Sequence, residues 1–286
     1  MRIGYLGPTG TFTHVACQKA IDIRYPSASE LVPFGSLGQL FDALHSGNTD
    51  AIFTPIENSI EGPVNQVFDG LIHSKKACID FMITTPIKQS LLSFNPAIQP
   101  HDISTIISMP HAIAQCYTYI KAHCPNATIH HAPSTSGAVP MIDALSLPKA
   151  SSVVIGHAGI SNFFPIHVVE ENIHDQKENT TQFGMILPKP ATESHYNDPK
   201  ASCMLAFSPL KDTPGSLLDV LAIFKHHQIN LTKILSRPEK SSMGTYVFFI
   251  EFGTFGMTLP LTELFDTMNH QCLYFQPLGI YSNHYD

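Results

Sequence analysis

The run Glu57-Asn58-Ser59-Ile60-Glu61 places two carboxylates, an amide and a hydroxyl directly behind the apolar stretch Ala51-Ile52-Phe53. A buried strand that ends in such a run delivers donors and acceptors where packing has little use for them. The structural alternative is a solvated loop capped by Ser59. A second group, Asn179-Thr180-Thr181-Gln182-Phe183, leads from polar residues straight into an apolar strand end. Four turns rich in hydroxyl, Gly or Pro residues also separate a strand from a helix: Gly7 to Thr13, Thr54 to Pro63, Ser108 to Pro110 and Ser134 to Gly137. In open α/β sheets, ligands sit beyond the carboxyl ends of strands. Helix N-termini there offer unpaired N–H groups and a positive dipole end. Four converging turns of this kind would hold a small anion with little formal positive charge. Taken singly, each is also an ordinary N-cap.

Sixteen histidines raise the question of a metal. The sequence has no H-E-x-x-H, and His130-His131 and His226-His227 are adjacent pairs whose side chains diverge on a strand or a helix. No metal is expected.

The elements that must carry these groups alternate. Ile3 to Leu6 is a strand, and a helix follows from about Thr13. Ser36 and Gln39 form a capping box for a helix with Leu37, Leu40, Phe41 and Leu44 on one face, stopped by Gly47. Pro63 suits the first turn of a helix that buries Val64, Val67, Phe68, Leu71 and Ile72. Cys78 to Phe94 reads as extended. Thr105-Ile106-Ile107 is a strand before a helix from Pro110 that buries Ile113, Tyr117 and Ile120. Thr128 to His131 is a strand, and Ser134 to Gly137 caps a helix carrying Ala138, Met141, Ile142 and Leu145. Val153 to Ile155, His167 to Val169 and Gln182 to Leu187 are strands. Such alternation implies mostly parallel sheets covered by helices.

After a polar, Pro-bounded stretch the order changes to βαββαβ, a ferredoxin-like unit. Its strands are Ser202 to Phe207, Ile229 to Leu235, Thr245 to Phe252 and Leu273 to Phe275. Its helices run from Pro214, capped by Asp212 or Thr213 and turning Leu217, Leu221 and Phe224 inward, and from Pro260 to Met268. Tyr246, Phe248, Ile250 and Phe252 alternate onto one face, and an exposed apolar stripe of that kind predicts a subunit interface.

A chain of 286 residues has room for two domains. With 43% hydrophobic and 14% charged residues it is rich in core and poor in surface charge. A net charge of −7 with 16 scattered Lys and Arg argues against nucleic acid. No apolar run approaches the ~20 residues of a membrane span. Six spread cysteines without C-x-x-C suggest reduced thiols and a cytoplasmic protein.

These motifs resemble those of the prephenate dehydratase family over almost the whole chain. Gly7-Pro8-Thr9-Gly10-Thr11-Phe12 is similar to the family's G-P-x-G-T-F, and Pro55-Ile56-Glu57-Asn58-Ser59-Ile60-Glu61-Gly62 to its P-I-E-N-S-x-x-G. Ala114-Gln115-Cys116 resembles its A-Q-C, and Thr181-Gln182-Phe183 stands where the family has T-R-F. The C-terminal part resembles an ACT domain. Gly215-Ser216-Leu217 stands for its G-A-L, and Leu235-Ser236-Arg237-Pro238 for its E-S-R-P. Gln182, Leu235 and Ser216 thus depart from an Arg, a Glu and an Ala. Ser108-Met109-Pro110-His111 departs from S-H-P-Q.

The resemblance implies a periplasmic-binding-protein-like α/β catalytic domain at 1–188, with one lobe of roughly 1–80 plus 180–188 and another of 81–179. A linker follows at 189–200, and a ferredoxin-like ACT regulatory domain at 201–286. It implies a lyase that converts prephenate to phenylpyruvate in phenylalanine biosynthesis without a cofactor, with phenylalanine as effector and a homodimer or homotetramer as the assembly. By carry-over, Thr181, Asn58, Ser59 and Glu61 are catalytic. Thr11, Phe12, Ser134, Thr135, Gln182 and Phe183 bind substrate. Gly215, Ser216, Leu217, Ser236, Arg237 and Pro238 bind phenylalanine. A neutral Gln182 implies a weaker carboxylate contact than Arg makes, and Leu235 a weaker phenylalanine response. The competing readings are a prephenate decarboxylase that keeps the hydroxyl, and a non-catalytic binding protein on the same scaffold.

Overall fold

The structure, a computed structural model, describes residues 1–27, 30–74, 77–188, 201–238, 246–254 and 260–286. The expected linker at 189–200 lies outside them. The chain begins β1 (Arg2–Leu6), α1 (Phe12–Arg24), β2 (Glu30–Phe34), α2 (Leu37–His45), β3 (Ala51–Asn58), β4 (Gly62–Pro63), α3 (Asn65–His73) and β5 (Cys78–Pro86). It continues with β6 (Ser90–Ser93), β7 (Thr105–Ser108), α4 (Pro110–Ala114), α5 (Tyr117–His123), β8 (Thr128–His131), α6 (Ala138–Ala144), β9 (Ser152–Gly156) and β10 (His167–Glu170). β11 (Thr180–Leu187) returns to the first group. Then come β12 (Ala201–Pro209), α7 (Ser216–His226), β13 (Leu231–Pro238), β14 (Tyr246–Gly253), α8 (Leu261–Gln271) and β15 (Cys272–Tyr285).

Two sheets result. The smaller has the order β10-β6-β9-β7-β8. The larger runs β13-β14-β12-β15-β5-β11-β3-β1-β2, with β4 paired to β3. Crossover helices α1 and α2 make the β1–β2 and β1–β3 pairs parallel, whereas β11 enters antiparallel between β3 and β5. The chain therefore has two lobes, joined where β5 leads to β6 and where the chain returns to β11. The βαββαβ unit adds its sheet to the first lobe through β15. Ser282 to Tyr285 pair parallel with Phe81 to Thr84 of β5.

Helix α1 packs Ala16, Cys17 and Ala20 on Ile3, Tyr5, Phe53, Phe81 and Phe183, covering one face of the first lobe. The opposite face buries Leu40, Phe41, Ile52, Ile56 and Phe68 together with Met204, Phe249 and Tyr281 of the C-terminal sheet. Phe68 and Phe249 meet edge to face with centroids 5.1 Å apart. All six cysteines are buried, and burial pushes the Cys17 and Cys116 thiols up to about 12. Among the described residues no helix is long and apolar enough to cross a membrane.

Several sequence expectations change. Gly62 and Pro63 pair with β3 instead of opening a helix, and α3 starts at Asn65. The helix expected from Pro110 breaks at Gln115-Cys116. Its buried residues are Ala112, Cys116 and Ile120, while Tyr117 is exposed, as is Leu145 after α6. Helix α7 starts at Ser216 behind a left-handed Gly215 (φ 95°). Thr213 meets the Ser216 hydroxyl at 3.0 Å, before the helix rather than as its cap. The expected exposed stripe on β14 is core. Ile250 and Phe252 are fully buried under α7 and α8, and Phe248 packs against them, which leaves Tyr246 exposed. The helices leave the β13 edge of this face open, where Ile234, the register partner of Ile250, is exposed as Tyr246 is, so only that end of the stripe remains as an argument for an interface.

Candidate functional site

Asn58 ends β3 beside Thr181, and its side chain ties three segments together. Its amide nitrogen lies 2.9 Å from Thr181 Oγ1, 2.8 Å from Asn179 Oδ1 and 3.0 Å from the Thr180 carbonyl. Its carbonyl oxygen accepts from the Ile60 and Glu61 backbone N–H groups at 2.9 and 3.0 Å. Two N–H donors on one side and three oxygens on the other settle which way the amide points. Thr181 Oγ1 therefore accepts a bond from Asn58, and its own proton is available to a ligand. Ser59 completes the tie. Its N–H donates to the Thr180 carbonyl and its hydroxyl accepts from the Thr180 N–H, at 2.9 and 3.0 Å.

A β-bulge makes this possible. Thr181 pairs with Asn58 and Gln182 with Glu57, but Phe183 pairs with Pro55, which leaves Ile56 as the extra residue. Ile56 and Glu57 then both face the C-terminal sheet, Ile56 within the shared core and Glu57 2.6 Å from Lys233. Asn58 is turned to the α1 face with Thr181. Without the extra residue, alternation along β3 would send Asn58 to the opposite face.

The lobes meet at the expected turns. Gly10 (φ 80°) donates its N–H to His14 Nδ1 at 3.1 Å, and its carbonyl lies 2.6 Å from His157 Nε2, just after β9. A Cβ at Gly10 would lie 3.3 Å from Ser136 and from Phe163. The other two turns meet through Glu61 and His111, 3.3 Å apart. Between the lobes lies a hollow of about 280 Å³ whose walls include Phe12, Thr85, Lys88, Ser90 and His157. Thr85 is the cross-strand neighbour of Thr181 on β5. The hollow thus offers hydroxyls, an aromatic ring, Lys88 and the paired Lys19 and Asp286, with Glu171 also on its wall.

Burial holds the His14 imidazole below the ordinary range. It does the same for His157, against the bond from Gly10 and with some help from His14. The unfolded chain protonates these rings near pH 6.5, and the folded one resists until lower pH. In that window the unfolded state binds more protons, so stability is full above pH 6.5 and falls as pH drops below it. His157→Gln is expected to flatten the dependence of the thermal midpoint on pH below neutrality. An unchanged slope contradicts the role of His157.

The structure brings Asn58, Ser59, Glu61 and Thr181 together, and Phe12 lines the hollow. Phe183 lies under α1, stacked 5.8 Å from Phe53, as core beneath Thr181. Thr11 caps α1, whereas Ser134 closes the turn before α6 and Gly137 is that helix's N-cap. Thr11 Oγ1 donates to the Pro8 carbonyl and accepts from the His14 N–H, and Ser134 Oγ accepts from Gly137. Thr135 is buried against Gly156. Gln182 departs from expectation. Strand alternation puts it on the face opposite Thr181, with Oε1 3.5 Å from Lys233, so it is not a cleft residue. Sequence reasoning missed Thr85, Lys88, His157 and Lys233. His157 had a signal, since it directly follows the buried strand Val153 to Ile155; Lys233 had none, because its partners come from distant strands.

In the C-terminal module a hollow of about 410 Å³ is walled by Gly215, Ser216, Leu217, Leu218, Tyr246 and Phe248 among others. Ser236 and Pro238 of β13 are the register partners of Phe248 and Tyr246. Arg237 turns the other way and bonds Asp69 of α3 at 3.3 Å. Leu235 packs on the core shared with the first lobe.

Comparison with known proteins gives concordant results. The family described as prephenate dehydratase matches residues 3–191, and the ACT domain matches residues 210–263. A prephenate dehydratase of Bacillus subtilis (strain 168) is 33% identical over 258 residues, covering 88% of each chain. The solved prephenate dehydratase of Arthrobacter aurescens in complex with L-Phe superposes with a TM-score of 0.86 at 25% identity, covering 99% of this chain and 90% of that one. The prephenate dehydratase of Staphylococcus aureus gives 0.80 at 26% identity, covering 99% and 100%.

Proposed function

The chain belongs to the prephenate dehydratase family, and on that premise we propose that it converts prephenate to phenylpyruvate, water and carbon dioxide, as a carbon–oxygen lyase of phenylalanine biosynthesis in the cytoplasm. The C–O bond to the ring hydroxyl breaks with that group taking a proton. The bond to the ring carboxylate breaks with its electron pair moving into the ring, which becomes aromatic. One proton is consumed, and positioning supplies most of the rest.

The observation that carries the assignment is the 2.9 Å bond from Asn58 Nδ2 to Thr181 Oγ1. It orients the Thr181 hydroxyl as a donor towards the leaving group. A threonine alone is a weak acid, so Thr181 passes on a proton within a network rather than supplying one by its own acidity. Ser59 and Glu61 fix the turn that holds Asn58. Lys88 and the hydroxyls of Thr85 and Ser90 offer contacts to substrate carboxylates. Release of phenylpyruvate from prephenate by the purified chain tests the assignment; absence of release overturns it.

Gln182 faces Lys233, so the altered motif is no reason to favour a decarboxylase. Gln182→Arg would set a guanidinium against the Lys233 ammonium. It is expected to leave the product unchanged and the Michaelis constant within about twofold, with any loss in kcat. A large fall in the Michaelis constant, or a new product, would place residue 182 at the substrate after all.

Phenylalanine is the effector that the ACT match and the L-Phe-bound relative support. Its carboxylate suits the Gly215-Ser216-Leu217 turn at the start of α7, and its ring suits Tyr246 and Phe248. Leu218 and Tyr246 at this hollow are exposed, and a second subunit of a homodimer, or of a homotetramer built from dimers, would cover them. Titrating phenylalanine against the rate, with mass measured in solution, should show inhibition and at least a dimer. A monomer contradicts the assembly, and a dimer indifferent to phenylalanine contradicts the sensor.

A further inference from the structure

Lys233 lies on β13, the edge strand of the C-terminal sheet, yet its ammonium reaches the first lobe. It is 2.6 Å from Glu57, 3.8 Å from Glu251 of its own module and 3.5 Å from Gln182 Oε1. The Lys233 side chain is 17% exposed and that of Glu251 11%. Glu251 also accepts from the Thr232 hydroxyl at 3.0 Å. Glu57 and Gln182 are register partners and the immediate neighbours of Asn58 and Thr181 on the same two strands. Glu57 belongs to the bulge, and the bulge decides which face Asn58 takes.

Ile56 is the residue left out of the ladder, while Glu57 beside it keeps Gln182 and Pro63 as strand partners, so the bulge is held both by that ladder and by what binds the Glu57 side chain. What binds it is a lysine from another module. We propose that Lys233 is a positioning residue for the reaction: by binding Glu57 on the back of the bulge it holds Asn58 towards Thr181 on the front. The regulatory module thereby contributes to the catalytic geometry. This rests on the dehydratase reading for its kinetic readout, but not for its structural one.

The test uses the full chain with Lys233→Met, Lys233→Arg, Glu57→Gln and the double variant Lys233→Met/Glu57→Gln. Two quantities are read: kcat and the Michaelis constant for prephenate, and the side-chain amide resonance of Asn58, assigned with Asn58→Ala. Lys233→Met should lower kcat about tenfold at an unchanged Michaelis constant, and the double variant should be no worse than the single ones. Lys233→Arg should recover most of the loss. The Asn58 amide resonance should shift in Lys233→Met and return in Lys233→Arg. Unchanged kcat, a loss confined to the Michaelis constant, or additive losses overturn the proposal. If the wild type releases no phenylpyruvate, the dehydratase reading fails and the resonance alone decides; an unmoved Asn58 signal then overturns the positioning role. Should Lys233→Met not fold, Glu57→Gln, which is nearly isosteric, must show the same loss and the same shift.

Discussion

Thr181→Ala should lower kcat by ~10²-fold or more while leaving the Michaelis constant nearly unchanged. Thr181 is 7% exposed, and its oxygen is held by Asn58 at 2.9 Å. Alanine removes the donor at the point where the leaving hydroxyl must gain a proton, but leaves the walls of the hollow in place. Serine restores the hydroxyl without the methyl that restricts its rotation, so Thr181→Ser should retain part of the activity. Asn58 would then have one acceptor fewer in the alanine variant, but Asn179 and the Thr180 carbonyl remain, and the fold should survive. Wild-type turnover in Thr181→Ala would remove Thr181 from the chemistry.

Gly279→Ala should be the most damaging single change to the fold. β15 pairs with β12 of the C-terminal module as far as Ser282, and from Ser282 to Tyr285 with β5 of the first lobe. Gly279 has φ 143°, and an added Cβ would lie 2.9 Å from the Ile79 nitrogen and closer still to its carbonyl oxygen. Backbone cannot step aside as a flexible side chain can. The strain and the clash together should cost about 2–5 kcal/mol. A fall in thermal midpoint of roughly 5–15 °C follows for a chain of this size. An unchanged midpoint would mean that the junction between the sheets tolerates a side chain there and is looser than the contacts imply.

The sequence could be read well wherever one local pattern sufficed. The capping box at Ser36 appears as the bond from the Gln39 N–H to Ser36 Oγ, and Gly47 ends α2 with φ 73°. The βαββαβ order and the polar run behind β3 were equally open to reading. The errors share a different cause. Period-two alternation assumes an unbroken ladder and one wet face. The bulge at Ile56 breaks the first assumption, and it hid the fact that Glu57 and Asn58 serve opposite faces. The docking of the C-terminal sheet on the first lobe breaks the second, so Phe248, Ile250 and Phe252 read as an exposed stripe although helices cover them and lobe one covers the other face. Gln182 was drawn into the cleft by its neighbours in a motif, but alternation from Thr181 turns it away. Pro63 fits a helix start by propensity, yet the Val64 N–H bonds the Ile56 carbonyl and closes a small ladder first.

The most direct test of the central claim is to incubate the chain with prephenate and identify what leaves. The account predicts one phenylpyruvate and one carbon dioxide for each prephenate consumed, because the ring hydroxyl departs with the proton that Thr181 directs to it. A dihydro-hydroxyphenylpyruvate with carbon dioxide would show that the hydroxyl stays, and prephenate bound but recovered intact would show a binding protein; either result contradicts the account.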